Sequence, residues 1–199
     1  MFNWFRKPPP ALHDCVWLNQ VARDEHIATT AAQATQPLLL VAFFAETAEL
    51  LAQLLRDRGI AFAEVGPMRA LRPVGVPVLL ALAERVAQVH ANPGETWQFC
   101  VAEHHPLPEP NTALIEQLQR LGPQTPVFHS ALDEPLMLRF GGERVAALML
   151  RLNMPANEPV QSPIVAKALA NARDKVRKKV VAPLPARSLR GWLAANLPD

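Results

Sequence analysis

The sequence predicts an α/β domain with a parallel sheet, spanning residues 11–140 and continued by a helical extension over 141–199. Two observations carry the sheet. Leu38–Phe44 reads LLLVAFF and Ile60–Val65 is a second apolar run, with a helix-patterned segment, Glu46–Arg58, between them. A short unbroken apolar run suits a strand covered on both faces, and a strand–helix–strand unit joins parallel strands. One observation carries the extension. Ile164, Ala168, Ala172, Val176 and Val180 recur every four residues, and Val165 and Leu169 widen that face into a stripe.

The elements follow in order. After the Pro8–Pro10 break, residues 11–34 read as helical, with Val16, Leu18, Val21, Ala22 and Ile27 toward the core. Pro37 ends that segment. Leu38–Phe44 is a buried strand. Ala48, Leu51, Leu54 and Leu55 form the apolar side of the next helix, and Gly59 stops it. Ile60–Val65 is the second strand, and Gly66–Gly75 is a connection rich in Gly and Pro. Val76–Leu82 is a third strand, with Pro77 confined to an edge or to its first residues. Ala83–His90 continues as helix, and Asn92–Gly94 is a turn.

Trp97–Ala102 is a fourth strand, leading to the polar loop His104–Pro110. Asn111 caps a helix that ends at Gly122. Pro126–Ser130 returns to the sheet. Glu134–Asn153 has helical spacing at Leu136, Phe140, Val145, Leu148, Met149 and Leu152, and Gly141-Gly142 blurs its start. Ser162 and Pro163 are an N-cap and first-turn pair for the long helix. Arg177, Lys178 and Lys179 fill its last turn, where cations complement exposed carbonyls, and Pro183 halts it. Residues 183–199 read as a loosely attached tail, with Leu189, Trp192 and Leu193 available for docking.

Composition narrows the classes. The chain has 199 residues, half of them apolar, enough for one domain with a core. Net charge is +2, but residues 167–199 hold eight Lys/Arg against two Asp, so the rest is acidic. That asymmetry permits an acidic or nucleic-acid contact at the tail and gives no duplex-binding footprint across the domain. Cys15 and Cys100 form no CxxC pair, in keeping with a reducing compartment. No apolar stretch approaches the roughly 18 residues of a membrane span. MFNWFRKPPP is too short for a signal peptide, and its aromatic residues are expected to fold back on the core.

Chemical motifs are sparse. There is no GxGxxG, no GxxxxGK followed by Ser or Thr, no HExxH and no GxSxG. Gly141-Gly142-Glu143-Arg144 reads as a helix start, without the lysine of a phosphate loop. His104 and His105 follow a strand of a parallel sheet, the edge where ligands commonly bind. Glu103 beside them supplies a carboxylate, and His129 is a candidate neighbour. A solvated or structural pair is favoured over a ligand-contacting pair, and catalysis ranks last. Asp133 and Glu134 diverge by about 100° on a helix, so they make no acid/base pair, and Asp133 is expected to cap the helix that follows.

Phe128–Lys179 resembles the junction between the second nucleotide-binding domain and the helical scaffold of the SecA preprotein-translocase motor family. The stretches that carry this are ALDEPLMLRFGGERVAALMLRLNM and EPVQSPIVAKALANARDKV. QPLLLVAFFAETAELLAQLLRDRGIAF is similar to that family's motif IV strand and helix. CVAEHHPLPEPNTALIEQLQRLG falls where the family has its motif VI strand, loop and helix. The resemblance implies a degenerate RecA-like domain. VPVLLALAERV stands near motif V without GRGTD, and EQLQRLG, with Arg120 as its one arginine, stands near the family's arginine-rich QLRGRSGR segment. The first motor domain, the crosslinking insertion and the zinc tail have no counterpart.

The resulting expectation is a non-enzymatic, cytoplasmic protein-interaction or accessory protein, with no cofactor and no metal. An exposed apolar strip with a charged rim would bind a protein partner. One alternative is a composite ATPase completed by a second chain, with Arg120, Arg139 or Arg144 at the shared cleft. Another is a nucleic-acid accessory module using the tail bases. Contact candidates are His104, His105, Arg120, Arg144, Lys175, Arg177, Lys178 and Lys179.

Overall fold

A computed structural model describes residues 13–68, 75–155, 157–160 and 163–197. Its centre is a six-stranded sheet in the order β1-β6-β5-β2-β4-β3, in which every pairing is parallel. The strands are β1 (His13–Trp17), β2 (Leu38–Ala42), β3 (Phe62–Glu64), β4 (Val78–Leu82), β5 (Gln98–Val101) and β6 (Val127–Ala131). The helices are α1 (Gln20–Ala32), α2 (Ala45–Asp57), α3 (Pro108–Leu121), α4 (Pro135–Arg139), α5 (Gly142–Arg151), α6 (Pro163–Lys179) and α7 (Leu189–Asn196), with a short 3₁₀ helix at Ala83–Gln88. This is the expected parallel α/β architecture of RecA-like topology, followed by C-terminal helices.

The period of two along each strand divides the core. Leu38, Leu40, Val78, Leu80 and Cys100 face α1 and α2, where Ile27, Ala31, Leu51 and Leu55 meet them. Leu39, Val41, Leu79, Phe99 and Val101 face the other way, against Val86, Leu114 and Leu118. An all-parallel sheet needs both faces covered, and the crossover helices cover them. A third cluster lies beyond the strand ends. Val16, Leu18, Phe44, Leu107 and Leu132 pack there with side chains of α4, α5, α6 and α7.

Several local expectations change. The helix expected from residue 11 is preceded by β1, whose register on β6 runs His13↔Val127 to Trp17↔Ala131. A five-residue edge strand depends on its partner, which local pattern does not reveal. Val21, expected in the core, is exposed. Within the segment Ala83–His90, Ala83–Gln88 forms a 3₁₀ helix rather than an α-helix, and the chain is extended at Val89. Helix α3 begins three residues early at Pro108, so Asn111 lies within it rather than capping it. The helix expected over 134–153 is broken between α4 and α5, where Gly141 takes φ +95°.

Asp133 does not cap its own helix. Its Oδ1 accepts from Gln20 N at 2.8 Å, so it caps α1 from across the chain. On α6 the buried line is Val165, Leu169, Ala172 and Val176, with Ile164 half exposed. Strict four-residue spacing drifts around a helix of 3.6 residues per turn, and steps of four, three and four hold one face. The C-terminal tail is docked by α7, which buries Leu189, Trp192, Leu193 and the adjoining Leu197. The Ser162 cap, the aromatic N-terminal decapeptide and residues 69–74 of the Gly66–Gly75 connection lie outside the described residues.

Candidate functional site

The carboxyl ends of β1, β2, β5 and β6 meet under the C-terminal helices, and two buried polar networks form there. The first centres on Glu103, two residues beyond β5. Its Oε1 accepts from Phe43 N at 3.1 Å and Phe44 N at 3.0 Å, and its Oε2 accepts from Thr47 Oγ1 at 2.8 Å. Phe44 is the N-cap of α2 and brings no capping side chain of its own. Glu103 therefore satisfies amides that the start of a helix leaves unpaired.

Arg23 lends its charge to this carboxylate from a distance and pairs directly with two others. It is buried, donates Nη1–H to Glu134 Oε1, and donates Nε–H to Asp24 Oδ1 at 2.8 Å. Burial pushes Glu103 up to about 7, against the hydrogen bonds from Thr47 and Phe44 and the charge of Arg23. Burial also pushes Glu134 up to about 7; Arg23 pulls it down and the neighbouring Glu103 pushes it further up. Burial works against the Arg23 charge, but Glu134 and Asp24 outweigh it and keep the guanidinium above its usual range. Near neutral pH the group thus holds a permanent cation beside two carboxyl groups whose ionisation burial opposes.

The second network is centred on His104. Its Nε2 lies 2.7 Å from Asp14 Oδ1 and its Nδ1 lies 2.9 Å from Arg173 Nη1. Arg173 Nη2 completes the ring at 3.5 Å from Asp14 Oδ2. Burial lowers the His104 pKa, favouring the neutral ring. In that form Nε2–H donates to Asp14 and Nδ1 accepts from Arg173. Burial works to raise Asp14, but His104 and Arg173 hold it below the usual carboxylate range. The imidazole stacks on Phe128 with centroids 4.6 Å apart. With both nitrogens engaged, His104 is a buried brace between β1, β5 and α6, not the solvated side chain of an open loop.

His105 points into an aromatic nest. It stacks on Phe44 at 5.9 Å and meets Trp192 edge-on at 5.4 Å. Its Nδ1 accepts from Leu107 N at 3.1 Å, and burial lowers its pKa to about 4. Asn111 holds the loop: Oδ1 accepts from His105 N, while Nδ2 donates to the carbonyls of His105 and Leu107. Trp192 carries α7 over this end of the sheet. His129 accepts at Nδ1 from Trp17 Nε1–H at 3.1 Å and faces His26, with ring centroids 5.5 Å apart.

The remaining contact candidates lie on the surface. Arg120 is exposed in the last turn of α3, and Arg144 is exposed on α5. Lys175, Arg177, Lys178 and Lys179 are exposed on α6. Lys175 Nζ sits 5.4 Å from the Phe140 ring centroid, and Lys178 pairs with Asp174 at 2.6 Å. Thus His104 and His105 come together, and the four bases of α6 share one helix end. Arg120 and Arg144 stand on separate helices.

Asp14, Arg23, Glu134 and Arg173 were not singled out from sequence for this region. Arg23 carries a readable signal: it lies four residues before Ile27, on the apolar side of α1. Among the described residues no group of three or more His, Cys, Asp or Glu is placed to hold a metal ion. No helix among them is long and apolar enough to cross a membrane.

No family model matches the chain, and no curated protein matches it. Among solved structures it is similar to the C-terminal part of the Fun30 ATPase domain, at 9% identity and a TM-score of 0.45. That alignment covers 78% of this chain and 54% of the other, so the chain spans about half the length of the structure it matches.

Proposed function

We propose that the chain is a non-enzymatic, cytoplasmic protein-interaction module of SecA-like descent, with residues 11–140 as a degenerate motor-type body and 141–199 as a scaffold-like extension. The observation that carries this reading is the position of Glu103. The amino end of a helix beside a parallel strand is where a phosphate would ordinarily be cradled. At the start of α2 the protein's own carboxylate accepts from the Phe43 and Phe44 amides and from Thr47. An entering anion would have to displace that carboxylate and approach a group able to carry the same charge. Trp192 and Leu193 of α7 further close this end of the sheet. What the C-terminal helices leave outward is a set of exposed apolar and basic side chains suited to a protein partner.

The test is affinity capture from native cells after nuclease treatment, alongside nucleotide titration of the purified chain. The expected result is a reproducible protein partner that is weakened by Arg177→Glu with Lys178→Glu, and no saturable ATP binding through the millimolar range. Recovery of no partner would overturn the interaction role. Saturable ATP binding with turnover would overturn the non-enzymatic one and favour a composite ATPase. Salt-sensitive nucleic-acid binding that supplants protein capture would make the tail a nucleic-acid contact instead.

A further inference from the structure

Two surface features of opposite character stand out, one of them the basic end of α6 already offered to a partner. The first is a groove between α1 and α2, of ≈ 300 Å³, lined by Val21, Leu50 and Leu54 with Asp24, Glu25 and Asp57. Val21 is 71% exposed and Leu50 62% exposed, so each bank presents an apolar side chain to water. Single exposed apolar residues are ordinary; two that flank one acid-rimmed groove form a patch.

The second feature is the end of α6 and the chain just beyond it. Arg177, Lys178 and Lys179 are exposed, Val181 is 96% exposed and Leu184 is 59% exposed. This stretch is held in shape. Leu184 N donates to Asn196 Oδ1 at 2.6 Å, and Asn196 Nδ2 donates back to Leu184 O at 2.9 Å. Arg187 O accepts from Glu46 N at 3.0 Å, which ties the following turn to α2. Pro183 and Pro185 on either side of Leu184 restrict its backbone further. A side chain presented on a pre-shaped backbone loses little freedom on docking.

We propose that the basic and apolar stretch Arg177–Leu184 of one copy docks into the acid-rimmed α1–α2 groove of a second copy, so that the chain self-associates. Val181 and Leu184 supply the apolar contacts, against Val21, Leu50 and Leu54. The charges match after local pairing is counted. Arg23 offsets Asp24 and Arg58 offsets Glu25, which leaves Asp57 as the uncompensated groove acid, while Asp174 offsets one of the three tail cations through Lys178. Opposite net signs therefore remain. Every copy carries both halves, so reciprocal docking closes a two-fold dimer with two identical contacts. Apolar residues at the tip of the basic stretch favour this occupant over a nucleic acid, whose backbone would meet the cations alone.

The experiment is light scattering and sedimentation of the full chain across a dilution series at low ionic strength, where charge pairing is least screened. A reversible dimer that weakens with added salt is expected. Val181→Asp should weaken it by roughly tenfold or more, the size expected for a buried interface anchor. Two charge-reversed variants supply the specific control: Glu25→Lys with Asp57→Lys in the groove, and Lys178→Glu with Lys179→Glu in the tail. All four positions are exposed, and circular dichroism checks that each variant folds. Each variant alone should be monomeric, and their mixture should pair, because each groove then meets a tail of opposite charge. A chain that stays monomeric throughout overturns the proposal. So does a dimer indifferent to both reversals, or a mixture that fails to pair. A monomer that still captures a foreign protein removes self-association and leaves the interaction role standing.

Discussion

Glu103 and Phe44 are 59 residues apart, yet the carboxylate of one caps the helix that the other begins, with Oε1 3.0 Å from the amide nitrogen. This contact ties β5 to the start of α2 and places a titratable group in the core. The same group lies within the electrostatic reach of Arg23 and Glu134.

The first prediction concerns pH. Glu103 is raised from its ordinary 4.5 to about 7 by burial. A carboxyl raised on folding contributes stability that is complete below its unfolded pKa and is lost as pH climbs through the folded one. Glu134 acts in the same direction, whereas His105, lowered to about 4, slopes the opposite way below its ordinary value. The comparison to make is therefore between the protein and Glu103→Gln, which no longer titrates there. Between pH 5 and 8 the variant should gain on the parent by on the order of 1–3 kcal/mol. Urea unfolding at each pH measures this, and parallel stability profiles would refute the assignment.

Arg23 supplies the second. Arg23→Met leaves Glu134 facing Glu103 in the core without a cation and should cost about 3–5 kcal/mol. Removing the paired charge as well, in Arg23→Met with Glu134→Leu, should recover part of that loss. A double-mutant cycle by chemical denaturation reads the coupling. A double variant as unstable as the sum of the singles would show that the pair does not act as a unit.

The break between α4 and α5 supplies the third. A Cβ added at Gly142 would collide with the Leu132 carbonyl oxygen and lie 2.8 Å from the Met137 carbonyl carbon. Gly142→Ala should therefore destabilise by about 1–3 kcal/mol, as expected for overpacking. Gly141 has open space around it but φ +95°, so Gly141→Ala should cost about 1 kcal/mol through backbone strain instead. Thermal melts separate the two, and a harmless Gly142→Ala would mean that the start of α5 does not approach Leu132 and α4 as closely as described.

Trp192 supplies the fourth. It is buried against His105 and the strand-end cluster. Trp192→Ala should cost about 3–5 kcal/mol and wet the aromatic nest. The His105 pKa should then rise from about 4 toward its ordinary 6.5, since burial is the main cause of its depression. Proton NMR of the imidazole follows this directly. An unchanged titration would mean that α7 does not shield His105.

Much of the body was legible along the chain. Leu38–Ala42 is a strand because five consecutive buried apolar residues suit a sheet covered on both sides. Gly59 ends α2 with φ +64°, as a C-terminal glycine should. Trp192 and Leu193 dock as their residue types suggested. The site was harder to read. His104 drew attention as a polar residue at a strand end, but its partners Asp14 and Arg173 lie 90 and 69 residues away. Arg23 and Glu134 are separated by 111 residues.

Periodicity and chain punctuation were enough to establish a parallel α/β body with helices after it, because burial on one face or two leaves a repeat in neighbouring residues. Which charges are buried, and whether they brace the sheet or greet a ligand, emerged only when strand order brought distant segments together. Asp133 makes the point in miniature: its nearest helix is α4, but its carboxylate caps α1. A hydrogen bond depends on separation in space, and a linear pattern encodes that separation only within a few turns.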